Sequence, residues 1–189
     1  MNFKLKKISG DASFREFYRL KKGKKTSIIV QATKDKFKNL ITYIVINNIL
    51  RKNKIIAPKL ISNNYRYNMM EISDLGEKSF YEFVVKKKNK LKDYKNLIKI
   101  ILKLQKIKIK KNYNFGKHSI RLKKYSIKNL HKESDLFFEW YLRYFLKESK
   151  IKKIKVVIKN ELNKIYKKLY FKNNIFVHRD FHASNIMIN

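Results

Sequence analysis

The residues best suited to chemistry lie in the last stretch, Phe176-Val177-His178-Arg179-Asp180-Phe181-His182-Ala183-Ser184-Asn185-Ile186-Met187-Ile188-Asn189. The carboxylate of Asp180 is followed five residues later by the amide of Asn185, and His178 and Arg179 come just before it. Phosphoryl transfer needs those two functions side by side. A carboxylate orients and deprotonates the attacking hydroxyl, and a neutral oxygen nearby helps to hold Mg²⁺ on the phosphates. One short loop can present both. The polar cluster lies between two apolar segments, which predicts a strand, a tight loop and a second strand. A plain polar turn between two strands is the competing reading.

Such a loop needs elements to hold it, and the chain supplies two kinds. Residues 3–8 predict a first strand, and Phe14, Phe17, Tyr18 and Leu20 a second. Between them Gly10, Ala12 and Ser13 are small enough for backbone N–H groups to approach a phosphate. Lys21–Lys25 predicts a hairpin turn, and the β-branched run Thr26–Ala32 a buried strand. Apolar residues at helical spacing from Phe37 to Ile49 predict a helix over Asp35–Lys52. Lys59–Ser62 and Tyr65–Ile72 read as two further strands turning at Asn63-Asn64. We therefore place an antiparallel-sheet lobe with one helix at 1–72, a connector at 73–78, and a helical lobe at 79–189. In the latter, Ser79 and Glu82 form a capping-box pattern. Helices are expected at Leu91–Lys108, Glu133–Leu146 and Lys152–Tyr170, and a loop at 111–119. The aromatics Phe137, Phe138, Trp140, Tyr141 and Tyr144 are expected mainly in a core.

Composition narrows the function classes. The chain has 189 residues, 44% hydrophobic with 13 Phe and 12 Tyr, which is enough to build a core. With no Cys, disulfide frameworks and thiolate metal sites are excluded, which suits a cytoplasmic chain. The N-terminus has no apolar signal region, and the apolar stretch Leu40–Leu50 is too short to span a bilayer. No membrane association is expected. Net charge is +34, from 48 basic and 14 acidic residues. The lysines are spread through every expected element, so no specific nucleic-acid partner is expected, although an anionic substrate would benefit from the field.

Several segments carry a family resemblance. His178-Arg179-Asp180 with Asn185 fits the kinase catalytic-loop pattern H-R-D-L-x-x-x-N, with Phe181 in place of Leu. Gly10-Asp11-Ala12-Ser13-Phe14-Arg15, Asp74-Leu75-Gly76 and Phe138-Glu139-Trp140-Tyr141-Leu142 occur with it in order. Together they resemble the aminoglycoside phosphotransferase and choline kinase superfamily, and within it the bacterial anomeric kinases of N-acetylmuramate and N-acetylglucosamine used in cell-wall recycling. The resemblance covers residues 8–189. It implies an α+β, protein-kinase-like two-lobed fold with a small antiparallel-sheet lobe and an incomplete helical lobe.

The resemblance also implies ATP and Mg²⁺ as cofactors and a small-molecule acceptor, an amino sugar. Gly10, Asp11, Ala12, Ser13 and Phe14 would cover the nucleotide phosphates. Met70, Glu71 and Ile72 would lie against the adenine. Asp180 would be the catalytic base and Asn185 a magnesium ligand, with His178 and Arg179 bracing the loop. Alternatives are a kinase of aminoglycoside, choline or homoserine type, or a non-catalytic nucleotide- or nucleic-acid-binding remnant. Two departures stand out. Kinases pair a Lys on the third strand with a Glu on the following helix. Here that strand reads Ile28-Ile29-Val30-Gln31-Ala32, and no Asp or Glu occurs between Asp35 and Glu71. The family's second metal-binding Asp would follow Asn189, so this chain is expected to be a truncated form, inactive by itself.

Overall fold

The computed structural model describes residues 3–8, 14–34, 36–122, 125–169 and 175–188. The chain divides into two compact units, 1–122 with 176–189, and 123–175.

The first unit is built on a five-stranded antiparallel sheet in the order β1-β2-β3-β5-β4. Its strands are β1 (Phe3–Ile8), β2 (Arg15–Lys22), β3 (Lys25–Ala32), β4 (Leu60–Asn64) and β5 (Met69–Ser73). The β2–β3 hairpin closes from Lys22 to Lys25 around Gly23, whose φ of +58° is the left-handed region that tight hairpins require. Lysine dominates the turn without disturbing it. The β4–β5 connection lies later than the Asn63-Asn64 turn expected from sequence. Tyr65–Tyr67 forms a short 3₁₀ turn that ends on Asn68 at φ +56°. Asn tolerates that backbone better than most residues, which explains the shift.

Helix α1 (Lys36–Lys52) is apolar on two sides, as a helix covered on both must be. Leu40 and Ile44 pack with Ile28, Val30, Ala32, Met70 and Ile72 of the sheet. Ile41, Val45 and Ile49 face the other way, into a cluster with Leu104, Ile107, Ile120 and Phe176. Between these layers α1 is the centre of the unit. Helix α2 (Phe80–Val85) begins with the expected capping box, with Glu82 N–H donating to Ser79 Oγ at 3.2 Å and Ser79 N–H to Glu82 Oε2 at 2.7 Å. Helix α3 (Leu91–Gln105) follows. Residues 111–119 are not a plain loop. Strands β6 (Tyr113–Phe115) and β7 (His118–Ile120) pair there as a small hairpin. Its strands are too short for alternation to show in the sequence, but Ile120, with Tyr113 and Phe115 packed beside it, contributes to the second cluster.

The second unit holds α4 (Ile127–Leu136), a π turn (Phe137–Tyr141), a 3₁₀ turn (Leu142–Tyr144) and α5 (Glu148–Lys168). Its core is small: Phe138, Leu142 and Ile151. The aromatics expected inside are mostly outside, with Trp140, Tyr141 and Tyr144 all exposed. A helical segment that packs against one partner helix buries one stripe, and Phe138 and Leu142 occupy it. Among the described residues no helix is long and apolar enough to cross a membrane.

Candidate functional site

The segment 176–188 is anchored at both ends and exposed in the middle. Phe176 is buried in the cluster around α1, and Phe181 packs against the same cluster. At the far end Phe80 N–H donates to Ile186 O at 2.7 Å and Ile188 N–H to Lys78 O at 2.9 Å. The expected pair of flanking strands does not form. Val177–His178 has no ladder, and Met187 makes a single antiparallel bridge with Ser79. Apolar alternation here reflects anchoring to helices and to the connector, not pairing with a neighbouring strand.

Between the anchors the backbone folds tightly on itself. Arg179 takes φ +70°, the left-handed region that residues with a side chain adopt uncommonly. Ala183–Asn185 forms a 3₁₀ turn that brings Asn185 back over Asp180. Asn185 Nδ2 donates to Asp180 Oδ2 at 2.7 Å and to Asp180 O at 3.2 Å. This assigns the amide orientation: nitrogen toward the carboxylate, with Oδ1 as the oxygen a cation can use. His182 Nε2 lies 3.3 Å from the other carboxylate oxygen, Oδ1, and its Nδ1 accepts from Ser184 N–H at 3.3 Å. His178 packs edge-on against Phe181 at 5.6 Å. That desolvation pushes the His178 imidazole below its ordinary value, opposed by Asp180. The residues predicted as base and metal ligand are therefore in direct contact on one loop.

A carboxylate and an amide oxygen suit part of a Mg²⁺ shell, which is completed by substrate phosphates and water. Among the described residues no group of three or more His, Cys, Asp or Glu side chains comes together, so the loop itself is not an all-protein metal cage.

The other predicted positions are placed as follows. Gly10, Asp11, Ala12 and Ser13 lie outside the described residues. Phe14 directly precedes β2, where its carbonyl accepts from Thr33 N–H at 2.9 Å and Lys34 Nζ sits 4.5 Å from its ring centroid. Met70 and Ile72 turn their side chains into the core under the sheet. Glu71 points to the opposite face, where Ser27 Oγ and Ser62 Oγ donate to it at 2.6 and 3.0 Å. These three residues belong to a fully paired strand, flanked by β3 and β4.

Sequence reasoning missed a charged network that holds the connector. Arg19 on β2 grips Asp74 with Nε at 2.7 Å and Nη2 at 3.1 Å, and also donates to Gly76 O at 2.7 Å and Glu77 at 2.9 Å. Burial pushes the Asp74 carboxyl up, but Arg19, the Gly76 N–H and the Thr26 hydroxyl outweigh it and hold Asp74 below the usual range. Gly76 itself, at φ +101°, runs so close to the terminal segment that a Cβ would lie 3.2 Å from Ile188 O. The connector thus ties β2 to the end of the candidate loop. In sequence this is only an arginine inside one strand and an aspartate just after another, a pair too common to read alone.

The architecture is that of a protein-kinase-like α+β fold: an antiparallel sheet, one central helix, a connector and a helical part carrying the Asp-to-Asn loop. The spectinomycin phosphotransferase APH(9)-Ia, solved in complex with ADP and spectinomycin, superposes on it with a TM-score of 0.56 at 13% identity. The match covers 98% of this chain and 60% of that one, so the chain spans about three fifths of that structure's length. No family model matches the sequence, and no curated protein matches it.

Proposed function

We propose that this chain is the nucleotide-binding and catalytic-loop part of an ATP- and Mg²⁺-dependent small-molecule phosphotransferase. The observation that carries the reading is the 2.7 Å contact between Asn185 Nδ2 and Asp180 Oδ2 on a loop held at both ends. Asp180 is the base: its carboxylate, exposed to solvent and oriented by Asn185 and His182, accepts the proton of the attacking hydroxyl. Asn185 offers Oδ1 to Mg²⁺, which when bound neutralises charge on the phosphates. Residues 10–14 and the region of Met70, Glu71 and Ile72 hold the nucleotide. The ADP named with the structurally similar phosphotransferase agrees with a nucleotide ligand.

For the acceptor, the Phe138-Glu139-Trp140-Tyr141-Leu142 segment and its resemblance to amino-sugar kinases favour N-acetylmuramate or N-acetylglucosamine. A cationic aminoglycoside or choline is disfavoured by the +34 net charge. The test has two parts. Calorimetric titration of Mg²⁺-ATP into the chain should show binding that Asn185→Ala weakens, and no binding by the wild type would overturn the nucleotide reading. Acceptor-dependent ADP release by the full-length product of the coding sequence should fall about 10²–10⁴-fold in Asp180→Asn. Equal turnover by the variant would remove Asp180 from the base role.

A further inference from the structure

A phosphotransferase of this fold needs a cation on the helix-facing side of its sheet, where strand, helix and phosphates meet. In this chain β3 cannot supply it. Its helix-facing positions are Ile28, Val30 and Ala32, all buried with Leu40 and Ile44 of α1. The antiparallel register resolves the gap. Arg15, the first residue of β2, is the cross-strand partner of Ala32, the last residue of β3. Directly paired residues point to the same face with Cβ atoms about 5 Å apart, so Arg15 emerges beside the place where a β3 lysine would stand.

Its side chain takes the same direction as such a lysine, toward α1. Arg15 Nη1 donates to Asn39 Oδ1 at 2.9 Å, and the guanidinium lies 5.0 Å from the ring centroid of Tyr43. Asn39 and Tyr43 are one turn apart on α1, so the strand and the helix are tethered through this one cation. The tether differs from a lysine–glutamate pair in one respect that matters. Asn39 holds the guanidinium through a neutral amide oxygen where that pair uses a carboxylate. Burial pushes the Arg15 guanidinium down from its ordinary value, with Tyr43 opposing. A cation taken partly out of water in this way gains from an anion more than an exposed lysine does.

We propose that Arg15 is the phosphate-anchoring cation of the nucleotide site, positioned by Asn39 and Tyr43 in place of the strand lysine and helix glutamate. This rests on the nucleotide reading above. A second cation nearby, Lys34, sits over Phe14 beyond the end of the ladder and is exposed. It is therefore a peripheral charge.

The experiment compares ATP, ADP and adenosine by calorimetric titration in wild type, Arg15→Gln, Arg15→Lys, Asn39→Leu and Lys34→Ala. Arg15→Gln should lose about ten-fold or more in affinity for ATP and ADP, the size of a lost charge-assisted contact, and bind adenosine as wild type does. Arg15→Lys should recover part of the loss. Asn39→Leu retains the cation but not its tether, so it should weaken ATP selectively by a smaller factor. Lys34→Ala should change ATP affinity less than two-fold. Equal loss for adenosine and ATP in Arg15→Gln would show a structural role and overturn the proposal, as would a larger ATP-selective loss in Lys34→Ala. Wild type that binds neither nucleotide would overturn the functional reading, a different failure from wild-type binding that Arg15→Gln leaves unchanged.

Discussion

Replacing Arg19 with Met should expose how much the connector depends on one guanidinium. The side chains of Arg19 and Asp74 are only 15% and 6% exposed, and two short bonds join them. Met fills much of the arginine stem's volume, so the loss is mainly electrostatic. Removing one partner of a buried pair strands the other charge, at a cost of about 3–5 kcal/mol. Asp74 lies just beyond the end of β5, in the connector, where water can approach it once the guanidinium is gone, so the lower end applies. The additional bond to Glu77, whose side chain is 79% exposed, contributes little. A loss of about 3 kcal/mol in a chain of this length corresponds to a fall in Tm of about 6–12 °C. Circular dichroism melts at neutral pH would read it.

The pH dependence of that loss is the sharper test. In the wild type Asp74 is held below its ordinary value, so its contribution is present above the unfolded carboxyl pKa of about 4 and is lost as pH falls through the folded value. In Arg19→Met the depression by arginine is gone while burial still raises the carboxyl. The Tm gap between the two proteins should therefore narrow as pH falls from 7 towards 3. Arg19→Met with Asp74→Asn should recover part of the loss at pH 7, because no stranded charge remains. A gap that stays constant with pH, or a double variant no better than Arg19→Met, would refute an ion-pair origin.

The remaining predictions concern other parts of the molecule. Gly76→Ala should lower stability by about 1–3 kcal/mol, because φ +101° is strained for any side chain and its Cβ would meet Ile188 O at 3.2 Å; a melt unchanged within 1 °C would count against the approach of connector and terminal segment. Phe138→Ala should cost about 3–5 kcal/mol in the second unit, whose buried core is Phe138, Leu142 and Ile151; protection of α4 and α5 amides in hydrogen exchange reads it, and unchanged protection would contradict that core. With a net charge of +34, moderate salt should raise the melting temperature by relieving self-repulsion; an identical melt at low and moderate salt would show that the charge is already balanced by local structure.

What could be read from the sequence follows from how each element is stabilised. The order of three strands, helix and two strands is legible because β3 and α1 are stabilised by burial, and burial imposes periodicity on Ile28, Val30, Leu40 and Ile44. The Ser79–Glu82 box is legible because it is local. Elements stabilised by distant contacts are not. The β6–β7 hairpin is too short to show a period and depends on packing around Ile120. The exposure of Trp140 and Tyr144 depends on how few helices surround them, which spacing along one helix does not reveal. The same division runs through the site. Asp180 and Asn185 are close in sequence and meet in the structure. Arg15 and Ala32 meet only through strand register.

The scarcity of acids sharpens the reading of Asp180. With 14 acidic residues against 48 basic ones, most carboxylates in the fold are committed to holding something. Glu16 binds Lys7 and Tyr18, Asp74 holds Arg19, Asp93 holds Lys87, and Asp135 holds Lys155 and Lys159. Each spans two elements or closes a turn. Asp180 braces only its own loop: the groups on its two oxygens, Asn185 Nδ2 and His182 Nε2, both come from that loop. The attachment of that loop to the rest of the unit runs instead through Phe176, Phe181 and the bonds to Lys78 and Phe80. An amide also orients a carboxylate with less loss of proton affinity than a guanidinium does. On the function proposed above, the acid held exposed on this internally braced loop is the carboxylate that meets the acceptor hydroxyl.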